Sequence, residues 1–355
     1  MNHLNNIFFN KKTISLDKFI NNSLFKKNLG YYEKEEIFGK RGDFVTSPII
    51  SSIFSEIICI WIVSYWMFIK KPKIINILEL GPGNGLLIKD IIITLQKIKT
   101  FNSKTNFYLF EKSKNLIKKQ EKNLSKFKKI KWINKIDKLT NYPTIIISNE
   151  FFDTLPIKQF YKKKNLWFEK HIVFEKKNKK IKYFYKPIKS LNIKKYSKFY
   201  DLTKSTVFEY STVIEKYINT ISKIVKKNKN IFIMFDYGYV GNIGKETLRG
   251  FKNHRLVNFL KYYLNCDITA DVNFDIIKKI FSNNNLNYSK MQSQNYFLQK
   301  LGILERAKQV LKINEANSKK IIASLNRLLN PNEMGERFKV FMTSNKNCKF
   351  NLGFE

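Results

Sequence analysis

The chain has 355 residues, 43% of them hydrophobic, enough for one large domain or two small ones with a buried core. These values exclude a short peptide, a coiled coil and a disordered tail. Lysine and arginine total 66 against 28 aspartates and glutamates, which gives a formal net charge of +38. Taken alone, that charge predicts a nucleic-acid or anionic-membrane partner.

The basic residues are very unevenly divided between the two types. Arginine occurs only at positions 41, 249, 255, 306, 327 and 337, and every other basic residue except histidine is lysine. Asparagine, isoleucine and phenylalanine are abundant while alanine, glycine and proline are scarce, as AT-rich codons encode. Much of the charge is therefore interpreted as drift at surface positions, and the remaining arginines and glycines are the positions to inspect first.

Compartment and redox state follow from a few further features. Cys59, Cys266 and Cys348 lie far apart without a C-x-x-C pair, which indicates neither a zinc site nor a disulfide framework and favours a reducing compartment. The first residues lack a continuous apolar stretch and a cleavage signal, so no secretory signal is predicted. We predict the cytoplasm of an AT-rich bacterium, with the mitochondrial matrix as the alternative.

Residues 1–70 are predicted to form an N-terminal lid and a helix. The apolar stretch 53–69 could be mistaken for a membrane span, but it is slightly short and contains Glu56. A buried helix entered through Thr46, Ser47 and Pro48 is the favoured interpretation, since serine or threonine before proline is a helix-start signal. No transmembrane segment is predicted.

Residues 71–156 alternate between apolar strands and helical segments. We predict strands at 74–80, up to Glu111, at 130–133 and at 144–148, with helices at 86–98 and from 113 to about 127. Strands separated by helices of this length require right-handed crossovers. The pattern predicts an α/β fold whose mostly parallel sheet has helices on both faces.

The pattern changes after this first half. Residues 157–210 are predicted to be an inserted antiparallel cap region, with two or three strands over 159–188 and a solvated hairpin tip at the lysine run 176–180. Residues 211–355 restore the alternation, with a helix at about 212–227 and a strand at 231–235. A substrate-side loop at 241–275 follows, then possible closing strands at 296–298 and 339–343 around a helix at 318–329.

A glycine turn follows the first strand of the sheet. It reads Glu79-Leu80-Gly81-Pro82-Gly83-Asn84-Gly85 and precedes a helix, where glycine lets the backbone approach a ligand. A phosphate-binding loop requires Lys-Ser or Lys-Thr after the glycines, and a dinucleotide fold requires a third glycine where Leu86 stands. The spacing G-x-G-x-G with an acid two residues earlier resembles the first motif of class I S-adenosylmethionine-dependent methyltransferases. That resemblance implies a Rossmann-like core and this cofactor.

Two acids near the turn suit such a cofactor, which carries a sulfonium and no phosphate. Glu79 is positioned to offset the positive charge, and Glu111 at the end of the second strand can accept hydrogen bonds from ribose hydroxyls. The alternatives are that Glu79 pairs with a lysine and that Glu111 caps the following helix.

Further segments extend the resemblance to nearly the whole chain. They are Gly42-Asp43-Phe44-Val45-Thr46-Ser47-Pro48, Asn149-Glu150-Phe151-Phe152-Asp153-Thr154-Leu155-Pro156, Phe235-Asp236-Tyr237-Gly238, Asp267-Ile268-Thr269-Ala270-Asp271-Val272-Asn273-Phe274, and Met334-Gly335-Glu336 with Phe338-Lys339-Val340. In this order they resemble the MidA family of class I methyltransferases. The resemblance implies a cap built partly from the insertion, N-methylation of protein arginine, and a respiratory complex I subunit as the partner protein.

Candidate site residues follow from these motifs. A guanidinium is held best by carboxylates through bidentate hydrogen bonds, so Glu150 and Asp153 are predicted to face the substrate and to accept its proton, with His254 as a further candidate base. The alternative for the two acids is a helix N-terminus rich in acid. The predicted cofactor contacts are Glu79, Gly81, Pro82, Gly83, Asn84, Gly85, Glu111, Asn149, Asp43, Thr46 and Ser47. The predicted substrate contacts are Arg249, Asp267, Thr269 and Asp271.

Three alternatives stay open at this point. Residues 42–48 could be a loop that ends in a helix cap at Ser47 rather than a lid. The charge of +38 favours an RNA methyltransferase, although such enzymes usually carry Asn or Asp followed by Pro-Pro and an aromatic residue where this chain has residues 149–153. A non-catalytic assembly factor is the third alternative, and the intact glycine turn argues against it. No metal site or specific nucleic-acid partner is predicted.

Overall fold

The computed structural model describes residues 7–8, 11–34, 46–98, 101, 105–139, 142–175, 177, 180–227 and 229–355. The strands in chain order are β1 (Thr13–Ser15), β2 (Ile75–Leu80), β3 (Thr105–Phe110), β4 (Ile130–Ile133), β5 (Thr144–Asn149), β6 (Lys158–Lys163), β7 (Leu166–Glu175), β8 (Lys180–Ile188), β9 (Val207–Tyr210), β10 (Ile231–Tyr239), β11 (Arg249–Lys252), β12 (Arg255–Val257), β13 (Asp267–Thr269), β14 (Val272–Asn273), β15 (Asn287–Tyr288), β16 (Gln292–Ser293) and β17 (Phe338–Ser344). The helices are α1 (Leu16–Phe25), α2 (Ser47–Ile50), α3 (Ser52–Phe68), α4 (Leu86–Gln96), α5 (Lys114–Leu124), α6 (Ser190–Lys194), α7 (Thr212–Val225), α8 (Phe274–Asn283), α9 (Gln294–Lys300), α10 (Ile303–Ile313), α11 (Ser318–Leu329) and α12 (Met334–Arg337).

The central sheet confirms the predicted α/β class. Its strand order is β15-β17-β10-β5-β2-β3-β4, with β14 paired to β10 and β16 paired to β17. The strands from β4 through β3, β2 and β5 to β10 are parallel neighbours. The sheet is mixed, because β17 runs antiparallel to β10.

Alternate side chains of the parallel strands enter two different apolar clusters. Ile77 packs in the cluster that contains the buried faces of α3 and α4, whereas Leu78 packs in the cluster that contains α7 and α8. This alternation with period two is what a strand buried on both faces produces. Helices therefore cover both faces of the sheet, as predicted.

The predicted buried helix at 53–69 is α3, which begins one residue earlier. Its N-cap is Ser51, whose Oγ accepts a hydrogen bond from the backbone N–H of Ile53 at 3.3 Å. The predicted cap at Ser47 is therefore wrong for this helix, because Ser47 instead begins the separate short helix α2. No helix within the described ranges combines the length and apolarity needed to cross a membrane.

A second sheet is wholly antiparallel and contains three strands where two or three were predicted over 159–188. Its order is β1-β7-β6-β9, with β8 paired to the other side of β7. The sequence did not predict that β1, from the N-terminal region, pairs with β7 in this sheet. Most of the predicted hairpin tip at 176–180 lies outside the described residues.

Two further differences from the sequence predictions concern the second half. The predicted closing strand at 296–298 is wrong, because these residues lie in α9, where Ser293 Oγ caps Tyr296 N–H at 3.3 Å and buried Phe297 and Leu301 are four residues apart. Such a short apolar segment does not distinguish a helix from a strand by period. Residues 241–275, which lack clear periodicity, contain the small antiparallel sheet β12-β11-β13. The predicted helix 318–329 and closing strand 339–343 are confirmed.

Candidate active site

The glycine turn between β2 and α4 requires glycine for two physical reasons. Gly81, Gly83 and Gly85 have φ angles of 63°, 55° and 80°, which lie in the left-handed region. A Cβ atom on Gly81 would also lie 2.5 Å from Cδ2 of Phe151. The turn thus leaves bare backbone facing the space above the sheet.

A cavity of about 340 Å³ lies over the carboxyl ends of β2, β3 and β5. Open α/β sheets bind ligands at this edge. Ten of the predicted residues line it, namely Thr46, Glu79, Gly81, Pro82, Gly83, Asn84, Glu111, Asn149, Glu150 and Asp153. Asp43 lies outside the described residues. Gly85 and Ser47 are not in this lining, but each follows a residue that is, Asn84 and Thr46 respectively.

Glu79 is deeply buried, with 3% of its surface exposed. Its Oε2 has no hydrogen-bond partner among the residues that the structure describes. Burial, with a smaller contribution from the charge of Glu111, raises the pKa of Glu79 to about 8. Within the described part of the chain no lysine forms an ion pair with Glu79, which was the alternative interpretation of this residue. A positive charge in the cavity would therefore stabilise the ionised form of this carboxyl group.

Glu111 lines the cavity and is also held by the two residues that precede α5. Its Oε1 accepts hydrogen bonds from the backbone N–H groups of Lys112 at 2.7 Å and Ser113 at 2.9 Å, at the start of α5. Ser113 is the N-cap of that helix. Burial raises the pKa of Glu111, against the effect of those N–H groups. The carboxyl group is thus held by the helix N-terminus while it lines the cavity.

Gln120 is a site residue that the sequence analysis missed. It is fully buried, and its Nε2 donates to the carbonyl of Gly83 at 2.8 Å and to Glu111 Oε2 at 3.3 Å. Its Oε1 accepts from Trp132 Nε1 at 2.9 Å. A polar residue midway between Leu116 and Leu124 on the apolar face of α5 was the available signal, since a glutamine there needs partners.

Glu150 lies at a strained turn immediately after β5. Its φ angle of 52° is unusual for a residue with a side chain. Its backbone N–H donates to the carbonyl of Phe235 at 2.9 Å, and its Oε1 accepts from Ser47 N–H and Asn149 Nδ2, both at 3.2 Å. Burial raises the pKa of Glu150 to about 8, and the charge of Asp153 adds to the effect. The turn aims this carboxyl group at the cavity.

Asp153 is 3% exposed and lies on the same loop. Its Oδ2 accepts a hydrogen bond from Thr269 Oγ1 at 3.0 Å, whereas its Oδ1 accepts none from the described residues. Burial raises the pKa of Asp153, and the hydroxyl groups of Tyr237 and then Thr269 oppose that rise. The alternative of an acid-rich helix N-terminus is wrong, since no helix follows before β6.

Asp236 is a second missed residue, although its motif was noticed. Its fully buried carboxyl group accepts hydrogen bonds from Phe152 N–H at 2.9 Å and Tyr237 N–H at 3.1 Å. Burial raises its pKa well above the ordinary value, and Asp153 adds to the rise. Asp236 thereby ties β10 to the loop that carries Glu150 and Asp153.

The predicted substrate-side residues do meet near these acids. Asp267 accepts a hydrogen bond from Tyr32 Oη at 2.9 Å. Arg249 forms an ion pair with Asp271, and its guanidinium carbon lies 5.4 Å from the centre of the Tyr237 ring. Thr269 contacts Asp153 as described above, and it also bonds to Tyr237 Oη.

His254 lies elsewhere, in a second cavity of about 490 Å³ that also has Glu150 in its lining. With Asn253 it forms the tip of the hairpin between β11 and β12, and both residues have left-handed φ angles of 49° and 60°. The two cavities therefore share Glu150, which belongs to both linings.

Comparison with known proteins now places this site in a family. Residues 57–292, more than half of the chain, match the family model described as "Putative S-adenosyl-L-methionine-dependent methyltransferase". The chain belongs to the MidA family of S-adenosylmethionine-dependent methyltransferases.

Relatives of this MidA-family chain cover most of its length. It is 30% identical to "Protein arginine methyltransferase NDUFAF7, mitochondrial" of Xenopus laevis over 96% of this chain and 83% of the relative. It is 28% identical to the protein of the same name from Homo sapiens, over 92% of this chain and 79% of the relative. A crystal structure from Burkholderia thailandensis bound to S-adenosyl-homocysteine is 19% identical, covers 97% of this chain and 89% of its own, and superposes with a TM-score of 0.81. That likeness shows the fold.

The cofactor of this MidA-family chain is S-adenosylmethionine, and the cavity fits it on physical grounds. The turn presents backbone without side chains, as a close approach to a ligand requires. Glu79 Oε2 is buried without a partner among the described residues, which suits a cationic sulfonium ligand. No group of three or more histidine, cysteine or acidic side chains within the described ranges is arranged to hold a metal ion.

Proposed function

We propose that this chain transfers a methyl group to a guanidinium nitrogen of an arginine side chain in a partner protein, on a class I methyltransferase core. The observation that carries the proposal is Asp153, whose buried Oδ1 accepts no hydrogen bond from the described residues, with Glu150 three positions away on the same loop. A buried carboxylate without a partner is costly. A guanidinium supplies N–H donors in a planar fork that matches carboxylates.

The residues that would hold the cofactor are those predicted cofactor contacts that line the first cavity. The backbone of Gly81 to Gly85 would contact the cofactor. Glu79 would offset the cofactor's positive charge, and Glu111 would accept hydrogen bonds from its hydroxyl groups. Asn149 and Thr46 line the same cavity, whereas the N–H of Ser47 is committed to Glu150. When bound, the cofactor supplies a methyl group on a positively charged sulfur.

The acids would bind the guanidinium and then accept a proton. In the absence of a cation, their raised pKa values favour the protonated forms, so binding of a guanidinium favours release of those protons. A nitrogen that gains a methyl group must lose a proton, and Asp153 or Glu150 lies on the loop that can receive it. His254 lines the second cavity and ranks below them. Most of the acceleration would come from orientation.

The relatives support this proposal through their names. Those described above are protein arginine methyltransferases and are described as mitochondrial. We extend arginine as the acceptor to this chain on that basis, and the MidA resemblance makes a respiratory complex I subunit the proposed partner. The mitochondrial matrix, the alternative compartment, agrees with these names, while the bacterial cytoplasm stays a prediction.

The division into regions is also a proposal. Residues 1–70 would supply the lid and first helix, 71–156 and 211–355 the two halves of the catalytic core, and 157–210 the inserted cap. The antiparallel sheet of β6, β7, β8 and β9 supports the separate cap. The pairing of β1 with β7 links the N-terminal region to it.

The competing functions are separated by one experiment. Purified protein is incubated with radiolabelled S-adenosylmethionine and either arginine-containing peptides or total RNA, and modified sites are located by mass spectrometry. We expect label on arginine nitrogen. Label on RNA alone would support the RNA methyltransferase, and cofactor binding without any transfer would support the non-catalytic assembly factor.

A further inference from the structure

The second cavity is lined by two arginines as well as by Glu150. Arg327 from α11 and Arg337 from α12 line it together with Tyr237 and His254. The chain has only six arginines among 66 basic residues. Two of the six therefore lie in one cavity that adjoins the proposed acceptor site.

Neither arginine is neutralised by a close ion pair. Arg337 Nη2 is 4.0 Å from Asp271 Oδ1, but that carboxylate is already paired with Arg249. Arg327 has no ion pair within the described residues, and both side chains are exposed. Hydrogen-bond donors thus remain on both guanidinium groups.

Arg337 is oriented by an aromatic ring. Its guanidinium carbon lies 5.2 Å from the centre of Tyr237, whose ring packs edge-on against Phe338. Stacking of this kind leaves the N–H edge of a guanidinium available for a planar anion. Tyr237 is adjacent to Asp236, which positions the acidic loop. The ring therefore connects the second cavity to the proposed acceptor site.

The charges around this cavity favour a single carboxylate over a polyphosphate chain. Besides the two arginines, Glu150 and Glu333 line it. Two acids on the same lining would repel a continuous phosphate backbone. A peptide with an isolated acidic side chain would satisfy the arginines while it adds only one negative charge to the cavity.

We propose that this cavity is a specificity site for the acceptor protein, in which Arg327 and Arg337 bind a carboxylate side chain that lies within a few residues of the methylated arginine. This inference rests on the proposed function. The target arginine would reach Glu150, which lines both cavities, from the second cavity, while the cofactor occupies the first. Acidic flanking residues would then determine which arginines are chosen.

Two fluorescent peptides test the proposal. Each contains one arginine, flanked within three positions on both sides by glutamate in one peptide and by glutamine in the other. Binding is measured by anisotropy with S-adenosyl-homocysteine present, and methyl transfer is measured separately by mass spectrometry. The variants are Arg327→Gln with Arg337→Gln and, as a control that removes the same charge, Lys319→Gln with Lys346→Gln, two exposed lysines.

We expect the glutamate peptide to bind the unmodified protein at least tenfold more tightly than the glutamine peptide. In the arginine double variant this ratio should fall to below threefold, whereas the lysine control should retain it. Cofactor binding by calorimetry shows that each variant is folded. Equal binding of both peptides, no binding of either, or an unchanged ratio in the arginine variant overturns the specificity site.

Methyl transfer gives an independent result. The glutamate peptide could bind selectively through Arg327 and Arg337 without methyl transfer to its own arginine. That result leaves the specificity site in place and overturns the proposed acceptor. Methyl transfer to both peptides, together with equal affinity for both, overturns the specificity site and leaves the proposed acceptor in place. Displacement of the glutamate peptide by an equal concentration of oligouridylate would overturn the carboxylate site in favour of a phosphate site.

Discussion

Asp236 accepts a hydrogen bond from the backbone N–H of Phe152 at 2.9 Å. This contact joins the end of β10 to the loop between Glu150 and Asp153, and a second N–H, from Tyr237, binds the other carboxylate oxygen. We expect Asp236→Asn to lower kcat at least tenfold, because an amide has one acceptor oxygen where two are used. Cofactor affinity should stay within threefold, since Asp236 does not line the first cavity. Calorimetry and steady-state kinetics measure the two quantities.

Asp201→Asn is the matched control for that variant. Asp201 also accepts a backbone N–H, from Thr203 at 3.0 Å, but it is exposed. Equal losses of kcat in the two variants would contradict a positioning role for Asp236.

Gly83→Val should abolish binding of S-adenosylmethionine. A β-branched residue at φ 55° is strained by roughly 1–2 kcal/mol, and its side chain would occupy space that a ligand needs. Gly244→Val is the control, because Gly244 has a similar φ of 61° with open space around it. Titration calorimetry should detect no heat for the first variant and ordinary affinity for the second. A Gly83 variant with circular dichroism like that of the control and unreduced affinity would disprove the proposed cradle.

Asp153→Asn should reduce turnover by about 10²–10³-fold and leave cofactor binding nearly unchanged. The amide replaces an acceptor with a donor, which faces the guanidinium unfavourably and cannot take its proton. Single-turnover transfer to an arginine peptide measures the loss. A variant that retains more than a third of the normal rate would assign the proton to another group.

Affinity for an arginine peptide should rise with pH between about 6 and 9. Burial raises the pKa of Glu150 to about 8 and also raises that of Asp153. Protons must leave these groups before a guanidinium can pair with both, so low pH opposes binding. Anisotropy titrations across the range should show a dissociation constant that decreases as pH increases. Glu150→Gln should flatten the profile, and an unchanged slope in that variant would exclude Glu150 as the titrating group.

The free energy of unfolding of the protein without cofactor should fall as pH rises from about 4.5 to about 8. Burial raises the pKa of Glu79 from 4.5 to about 8, so the folded state retains a proton that the unfolded state has lost. The stabilising contribution is complete below about pH 4.5 and is lost as pH rises through about 8. The shift from 4.5 to about 8 is about 3.5 units, so at about 1.4 kcal/mol per pKa unit the loss is on the order of 5 kcal/mol.

Urea unfolding of Glu79→Gln and the unmodified protein at several pH values measures this contribution as a difference. Glu305→Gln, at an exposed position, controls for a simple change in net charge. A difference between Glu79→Gln and the unmodified protein that does not vary with pH would show that Glu79 is ionised in the folded state.

The sequence predicted those parts of the fold that local pattern determines. Strands buried on both faces, such as β2 and β5, are mostly apolar segments, with Gly81 directly after β2 and Pro143 directly before β5. The turn at Gly81 to Gly85 is marked by its own glycines. Contacts between distant segments have no local signature. The pairing of β1 with β7 joins residues more than 150 positions apart, and no period in the chain encodes it.

The candidate site shows the same division. Glu79, Glu111 and Glu150 were predicted because they end strands whose carboxyl ends must share one edge of the sheet. Gln120 and Asp236 were missed as site residues because they act through other groups. Asp236 sits inside an otherwise apolar strand, and Gln120 on the apolar face of a helix, so an unexplained buried polar residue was the signal in both cases.

The shared position of Glu150 between two cavities has a kinetic consequence. If the cofactor occupies the first cavity and the acceptor enters through the second, as proposed, neither would obstruct the exit of the other. Each would then exchange while its counterpart stays bound, and the ternary complex would form in random order. Under the same proposal a spent cofactor would be replaced while the acceptor remains in place, which would allow a second methyl transfer within one encounter.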